Sequence, residues 1–190
     1  MVRSISALAG AGFALCLGLA VPAMAGTAPD LTPEHVKELY FDAARDGRVD
    51  LLQGLIKDGM PVDARDNSGY TSLILAAYDG QLDAVDALIK AGADACATDP
   101  KGNTALMGVA FKGETAVGER LLAEPCGVDT VNKAGQTALM MAALFGRVEM
   151  VKLLMAHGAD PALKDASGNS AIGLATQQGN AEMIGLLGRD

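Results

Sequence analysis

The chain has 190 residues, half of them hydrophobic, with 15 basic against 23 acidic side chains and a net charge of −8. An acidic chain with no basic run has few counterions to displace from a phosphate backbone, so nucleic acid is excluded as the expected partner and anionic membrane surfaces are disfavoured. The apolar content suits a single domain with its own core and excludes a disordered chain.

The amino-terminal end reads as an export signal. Arg3 supplies a positive charge, residues 5–20 are an almost unbroken run of Ala, Gly, Leu, Ile and Phe, and Ala23-Met24-Ala25 has the small-x-small pattern of a cleavage site. The run is shorter than the roughly 20 apolar residues of a spanning helix and is closed by Pro22, which favours a cleaved segment over an anchor. We therefore expect a signal peptide over residues 1–25, cleavage between Ala25 and Gly26, and a short linker over residues 26–32. Cys16 follows Leu15 in mid-run, so lipid anchoring is not expected. Arg3 is the only charged residue removed, which takes the net charge of the remainder to −9.

Next, Thr32-Pro33-Glu34 offers a capping oxygen, a first-turn proline and a first-turn acid. The helix it opens has Val36, Leu39, Tyr40 and Ala43 on the inward face.

From there the chain repeats. Gly69, Gly102, Gly135 and Gly168 share a period of 33, and so, in a second register, do Gly47, Gly80, Gly113, Gly146 and Gly179. Around the first series, Asp66-Asn67-Ser68-Gly69-Tyr70-Thr71 recurs as residues 99–104, 132–137 and 165–170. Each copy predicts a tight turn at glycine followed by a Thr or Ser that caps the next helix. That helix carries Leu73, Ala76 and Ala77, then Leu106, Val109 and Ala110, then Leu139, Ala142 and Ala143, then Ile172, Ala175 and Thr176. The spacing is helical, with small residues where helices crowd. The second glycine series breaks the helix. A second helix follows with Val85, Leu88 and Ile89, echoed by Leu121 and Leu122, by Val151, Leu154 and Met155, and by Ile184 and Leu187. Gly92-Ala93-Asp94 and Gly158-Ala159-Asp160 close it.

This unit of 33 residues, with its Thr-x-Leu start, Ala-Ala pair, breaking glycine and Gly-Ala-Asp exit, resembles the ankyrin repeat over residues 33–190. The resemblance implies an all-α solenoid of about five helix-turn-helix repeats with short hairpin turns, at about residues 33–65, 66–98, 99–131, 132–164 and 165–190. The family's usual Pro and His after the capping Thr are replaced here by Ser72 and Ile74, Ala105 and Met107, Ala138 and Met140, and Ala171 and Gly173. The hydrogen bonds of that His are therefore absent.

Catalytic chemistry is not expected. A nucleophile needs a neighbouring base, and the two histidines, His35 and His157, fall four repeats apart, with His157 read as an exposed ring at a helix end. Zinc, haem, phosphate-loop and calcium-loop spacings are missing, so no cofactor and no metal is expected. Met107, Met140, Met141, Met150, Met155 and Met183 lie at helical positions and read as core filling.

The resemblance places Cys96 and Cys126 on the exits of adjacent repeats, within reach of one another. An oxidising compartment favours a bridge, and two buried free thiols are the alternative. Pro125 stands where the family has glycine. The resemblance also implies that the residues just before each second-series glycine line a concave groove: Tyr78 and Asp79, Phe111 and Lys112, Leu144 and Phe145, Gln177 and Gln178, joined by Tyr70 from a turn. Aromatic anchors ringed by polar groups have the composition of a protein-binding surface, the alternative being that Phe111 and Leu144 pack between repeats. Ankyrin chains with a short Ala-rich signal resemble bacterial periplasmic proteins. The expectation is thus a monomeric, non-catalytic periplasmic binder that inhibits, or gives immunity against, a toxic or cell-envelope enzyme. The alternative is a scaffold supporting an oxidative-stress enzyme such as a catalase.

Overall fold

The computed structural model describes residues 32–188. The expected signal peptide, its cleavage site and the linker as far as residue 31 lie outside them.

The described residues form ten helices: α1 Pro33–Arg45, α2 Val49–Lys57, α3 Ser72–Tyr78, α4 Leu82–Lys90, α5 Ala105–Lys112, α6 Thr115–Leu122, α7 Ala138–Leu144, α8 Val148–Ala156, α9 Ala171–Gln177 and α10 Ala181–Leu187. They pair as five antiparallel hairpins. The odd-numbered helices stack into an inner layer, and α2, α4, α6 and α8 stack into an outer one. Among the described residues, β structure is limited to two isolated bridges, Arg65 with Thr71 and Thr98 with Thr104. The all-α repeat solenoid implied by the resemblance is the fold observed.

Local chemistry sets each boundary. Thr71, Thr104, Thr137 and Ser170 accept, at 3.3 Å through the side-chain oxygen, the N–H of Ile74, Met107, Met140 and Gly173. This satisfies one of the free donors of each inner helix. All the inner helices but α5 end in a paired turn, as in α3, where Gln81 N–H donates to Ala76 O and Gly80 N–H to Ala77 O, which requires a left-handed residue at Gly80. In the hairpins, Oδ1 of Asp66, Asp99, Asn132 and Asp165 accepts the N–H groups two and four residues on, at 2.8–2.9 Å. Adjacent hairpins are tied by Lys133 N–H to Lys101 O (3.0 Å) and Ala166 N–H to Ala134 O (2.9 Å). Gly135 (φ 73°) sits under the second tie, where a Cβ would lie 2.9 Å from Ala166 N.

Burial follows the repeat. Leu73, Leu106 and Leu139 are buried, Ala76, Ala77, Val109, Ala110, Ala142 and Ala143 are wholly buried, and Val85, Leu88, Val151 and Leu154 fill the space between layers. Small side chains let the inner helices approach closely. Met107, Met140, Met150 and Met183 are core residues, while Met141 and Met155 are half-buried.

The terminal repeats depart from expectation. In α1, Tyr40 and Ala43 are buried, but Val36 and Leu39 are only half-buried, and Phe41 takes an inward place instead. In α9, Thr176 is exposed and its hydroxyl donates to Ile172 O. Each terminal inner helix has an inner-layer neighbour on one side only among the described residues. Residues buried on both sides elsewhere in the stack therefore meet solvent here.

Two further features tie repeats together. Tyr40 Oη donates to Val62 O (2.9 Å) and accepts from Ser72 Oγ (2.9 Å), and burial raises the Tyr40 phenol above its ordinary pKa despite the Ser72 hydrogen bond. Cys96 and Cys126 are bonded to each other across the exits of the second and third repeats, with Cα atoms 5.5 Å apart.

Candidate functional site: an aromatic groove on the inner layer

The inner helices α3, α5 and α7 end at one level of the stack, because each stops at a glycine of the 33-residue series. Their last residues therefore form a row. Tyr78 and Phe111 occupy equivalent positions, with ring centroids 6.0 Å apart and planes 13° from parallel. The equivalent position in α7 is Leu144, and the third ring comes one residue later, from Phe145 at the helix C-cap. Phe145 meets Phe111 edge-on, with centroids 4.3 Å apart and planes at 67°. Offset-stacked and edge-to-face contacts suit the ring quadrupoles.

These rings are not core. Tyr78 is 40% and Phe145 43% exposed, while Phe111 and Leu144 are half-buried. Both alternatives raised by the sequence thus hold in part: Phe111 packs between its two aromatic neighbours and still opens onto the groove.

Two clefts meet at Phe111. The first, about 570 Å³, has Tyr70, Tyr78, Asp79, Asn103 and Phe111 in its wall, with Arg45 at one end. The second, about 650 Å³, is floored by Phe111, Met141, Leu144 and Phe145 and flanked by Lys101 and Lys133 of the hairpins. Lys112 places its Nζ 4.6 Å from the centroid of the Tyr78 ring, a cation–π contact. Tyr70, Tyr78, Asp79, Phe111, Lys112, Leu144 and Phe145 are thus gathered on one surface. Gln177 and Gln178 stand exposed outside both clefts, with Gln177 Nε2 donating to Asn169 Oδ1 at 2.9 Å.

The cleft walls are organised by the hairpins. Asn132 Nδ2 donates to Asn103 Oδ1 of the preceding repeat at 2.8 Å, and Asn103 Nδ2 donates to Asp99 Oδ2 at 2.9 Å. On the equivalent Asp165, hydrogen bonds led by the Asn169 N–H hold the carboxyl below the usual carboxylate range. The outer layer has its own ion network, in which Asp86 joins Lys90 to Arg120, and Arg120 also binds Glu124 at 2.6 Å. These two cations lower the Asp86 pKa, Lys90 most.

His35 lies at the start of α1, while His157 Nδ1 lies 2.9 Å from Leu153 O at the end of α8. Among the described residues, no three His, Cys, Asp or Glu side chains are grouped to hold a metal ion, and no helix is long and apolar enough to cross a membrane. The groove offers rings, hydrogen bonds and charge, which is chemistry for recognition.

The family model described as Ankyrin repeats (3 copies) matches residues 38–99, 89–165 and 106–189. The chain belongs to the ankyrin-repeat family. Ankyrin repeats in general serve as modules for binding other proteins. A comparison with curated proteins finds no match.

Sequence reasoning missed part of this ankyrin groove. Lys101 and Lys133 occupy different registers, one residue before Gly102 and two before Gly135, so period alone does not pair them. Their position at hairpin tips was the available signal. Met141 was read as core and instead helps floor the second cleft.

Proposed function

We propose that this protein is an exported, non-catalytic binding module of the bacterial periplasm whose groove captures a protein partner and holds it inhibited, as an immunity protein holds a toxic or cell-envelope enzyme. The observation that carries the binding surface is the Tyr78–Phe111–Phe145 row, in which two large aromatic side chains stay 40% and 43% exposed at the mouth of adjoining clefts. Exposed aromatic anchors with a polar surround are where binding energy concentrates. Export is supported by the Arg3, apolar-run and Ala23-Met24-Ala25 pattern, and an oxidising compartment suits the Cys96–Cys126 bond.

The test is photocrosslinking in cells, with benzoylphenylalanine in place of Phe145. The reading requires one dominant crosslinked partner in the periplasmic fraction whose activity falls when the purified protein is added. Crosslinks confined to the cytoplasm, or a partner whose activity rises on binding, would overturn it.

A further inference from the structure

We infer that the groove's occupant is an acidic segment of the partner, an apolar side chain flanked by carboxylates, a deduction that rests on the groove being the binding surface. Charge complementarity selects this occupant. In a chain of net charge −8, residues 100–113 carry Lys101 and Lys112 and residues 133–147 carry Lys133 and Arg147, with no acid in either stretch. These stretches are the hairpins and inner helices of the third and fourth repeats, which build the second cleft. Lys101 and Lys133 line this cleft on its hairpin side together with the Phe111 and Phe145 rings, while Lys112 and Arg147 line a small separate pocket at the helix–helix turns with Glu149.

None of the four is in an ion pair among the described residues, and three are held by neutral groups. Lys133 Nζ donates to Pro100 O (2.7 Å), Arg147 Nε donates to Phe111 O (2.9 Å), and Lys112 Nζ sits over the Tyr78 ring. Such contacts fix position without cancelling charge. No acid is among the residues that line the second cleft, and Glu114, two residues after Lys112, lies outside it. The Asp99 carboxylate accepts from two backbone N–H groups and Asn103, Glu149 binds Lys152, and Asp79 belongs to the first cleft. Lys101 and Lys133 flank an aromatic floor without an ion-pair partner among the described residues, and an acidic segment with an apolar anchor supplies both halves. A nucleic acid fits less well. It would meet the same cations, but also the surrounding acidic surface, and its affinity would rest on few phosphate contacts.

The experiment selects a phage-displayed random peptide library on the purified full chain, then measures the enriched peptides by fluorescence anisotropy. We expect peptides with Asp or Glu on both sides of Phe, Leu, Trp or Tyr. Their Glu→Gln and Asp→Asn versions, and the Lys101→Glu/Lys133→Glu protein, should each bind about tenfold or more weakly, and added salt should weaken the parent pair. Enrichment of neutral or basic peptides overturns the inference, and loss of their binding on Phe145→Ala would show that the groove reading survives it. Binding that changes with neither Lys101→Glu/Lys133→Glu nor Phe145→Ala removes both. Failure to enrich any peptide, or tighter binding of oligothymidylate than of the peptides, also counts against the acidic segment.

Discussion

Phe145 sits one residue beyond the repeat position held by Tyr78 and Phe111, yet its ring meets Phe111 edge-on at 4.3 Å. The displacement matters because Leu144, at the equivalent position, covers the floor while Phe145 remains 43% exposed. The ring pair is worth about 1 kcal/mol, so Phe145→Ala should lower folding stability by about that amount. Phe111→Ala, which removes the half-buried middle ring, should cost more while staying below the ~3–5 kcal/mol of a fully buried aromatic. Urea denaturation of both variants checks the order.

The Cys96–Cys126 bond joins consecutive repeats, its ends 30 positions apart in the sequence. Protein beginning at Gly26 and isolated without reductant should show no free thiol after denaturation, by titration with a chromogenic disulfide. Loss of a cross-link over a loop of this length costs about 3–4 kcal/mol in the chain-entropy account. Cys96→Ser/Cys126→Ser should lose stability on that scale and become insensitive to reductant.

Tyr40 predicts an alkaline limb of the stability curve. Burial raises its phenol above the ordinary value of 10.0, so the folded state keeps a proton that the unfolded chain releases. Its contribution is complete below pH 10.0 and is lost as pH rises through the folded pKa. Tyr40→Phe removes this loss, so the difference in stability between wild type and variant should shrink above pH 10.0, measured by urea denaturation across pH. Below it the variant should be less stable by about 1 kcal/mol, for the missing hydrogen bond to Val62 O.

Glycines of one series should differ in tolerance. Gly135 and Gly168 both have positive φ, but a Cβ on Gly135 meets Ala166 N at 2.9 Å, while one on Gly168 meets nothing within 4 Å. Both alanine variants carry the left-handed penalty of about 1–2 kcal/mol. Gly135→Ala should cost measurably more in thermal melts.

Most of the fold was legible because the same local devices recur. The turn glycine, the Thr or Ser cap and the Ala-Ala pair each dictate one conformation and appear in several registers. Reading weakened where a residue's environment depends on layers beyond its own repeat. Val36, Leu39 and Thr176 fit the periodic pattern, yet among the described residues their helices have an inner-layer neighbour on one side only. The aromatic row was legible as a set of positions, while the contact between Phe111 and Phe145 was not, because it crosses registers. The lysines beside it were hidden for the same reason, and the bond between Cys96 and Cys126 depended on the separation of two exits that spacing alone left open.

The aromatic row is the proposed partner-binding surface. Its most direct measurement is isothermal titration of the crosslinked partner, once purified, into wild type and Tyr78→Ala/Phe145→Ala, with the melting midpoint of each recorded alongside. Each anchor should contribute roughly 2 kcal/mol, about thirtyfold in Kd. Binding by the row requires a combined loss of several hundredfold or more with a midpoint only a few degrees lower. An unchanged Kd, or weakened binding only in a protein that has lost its fold, would contradict it.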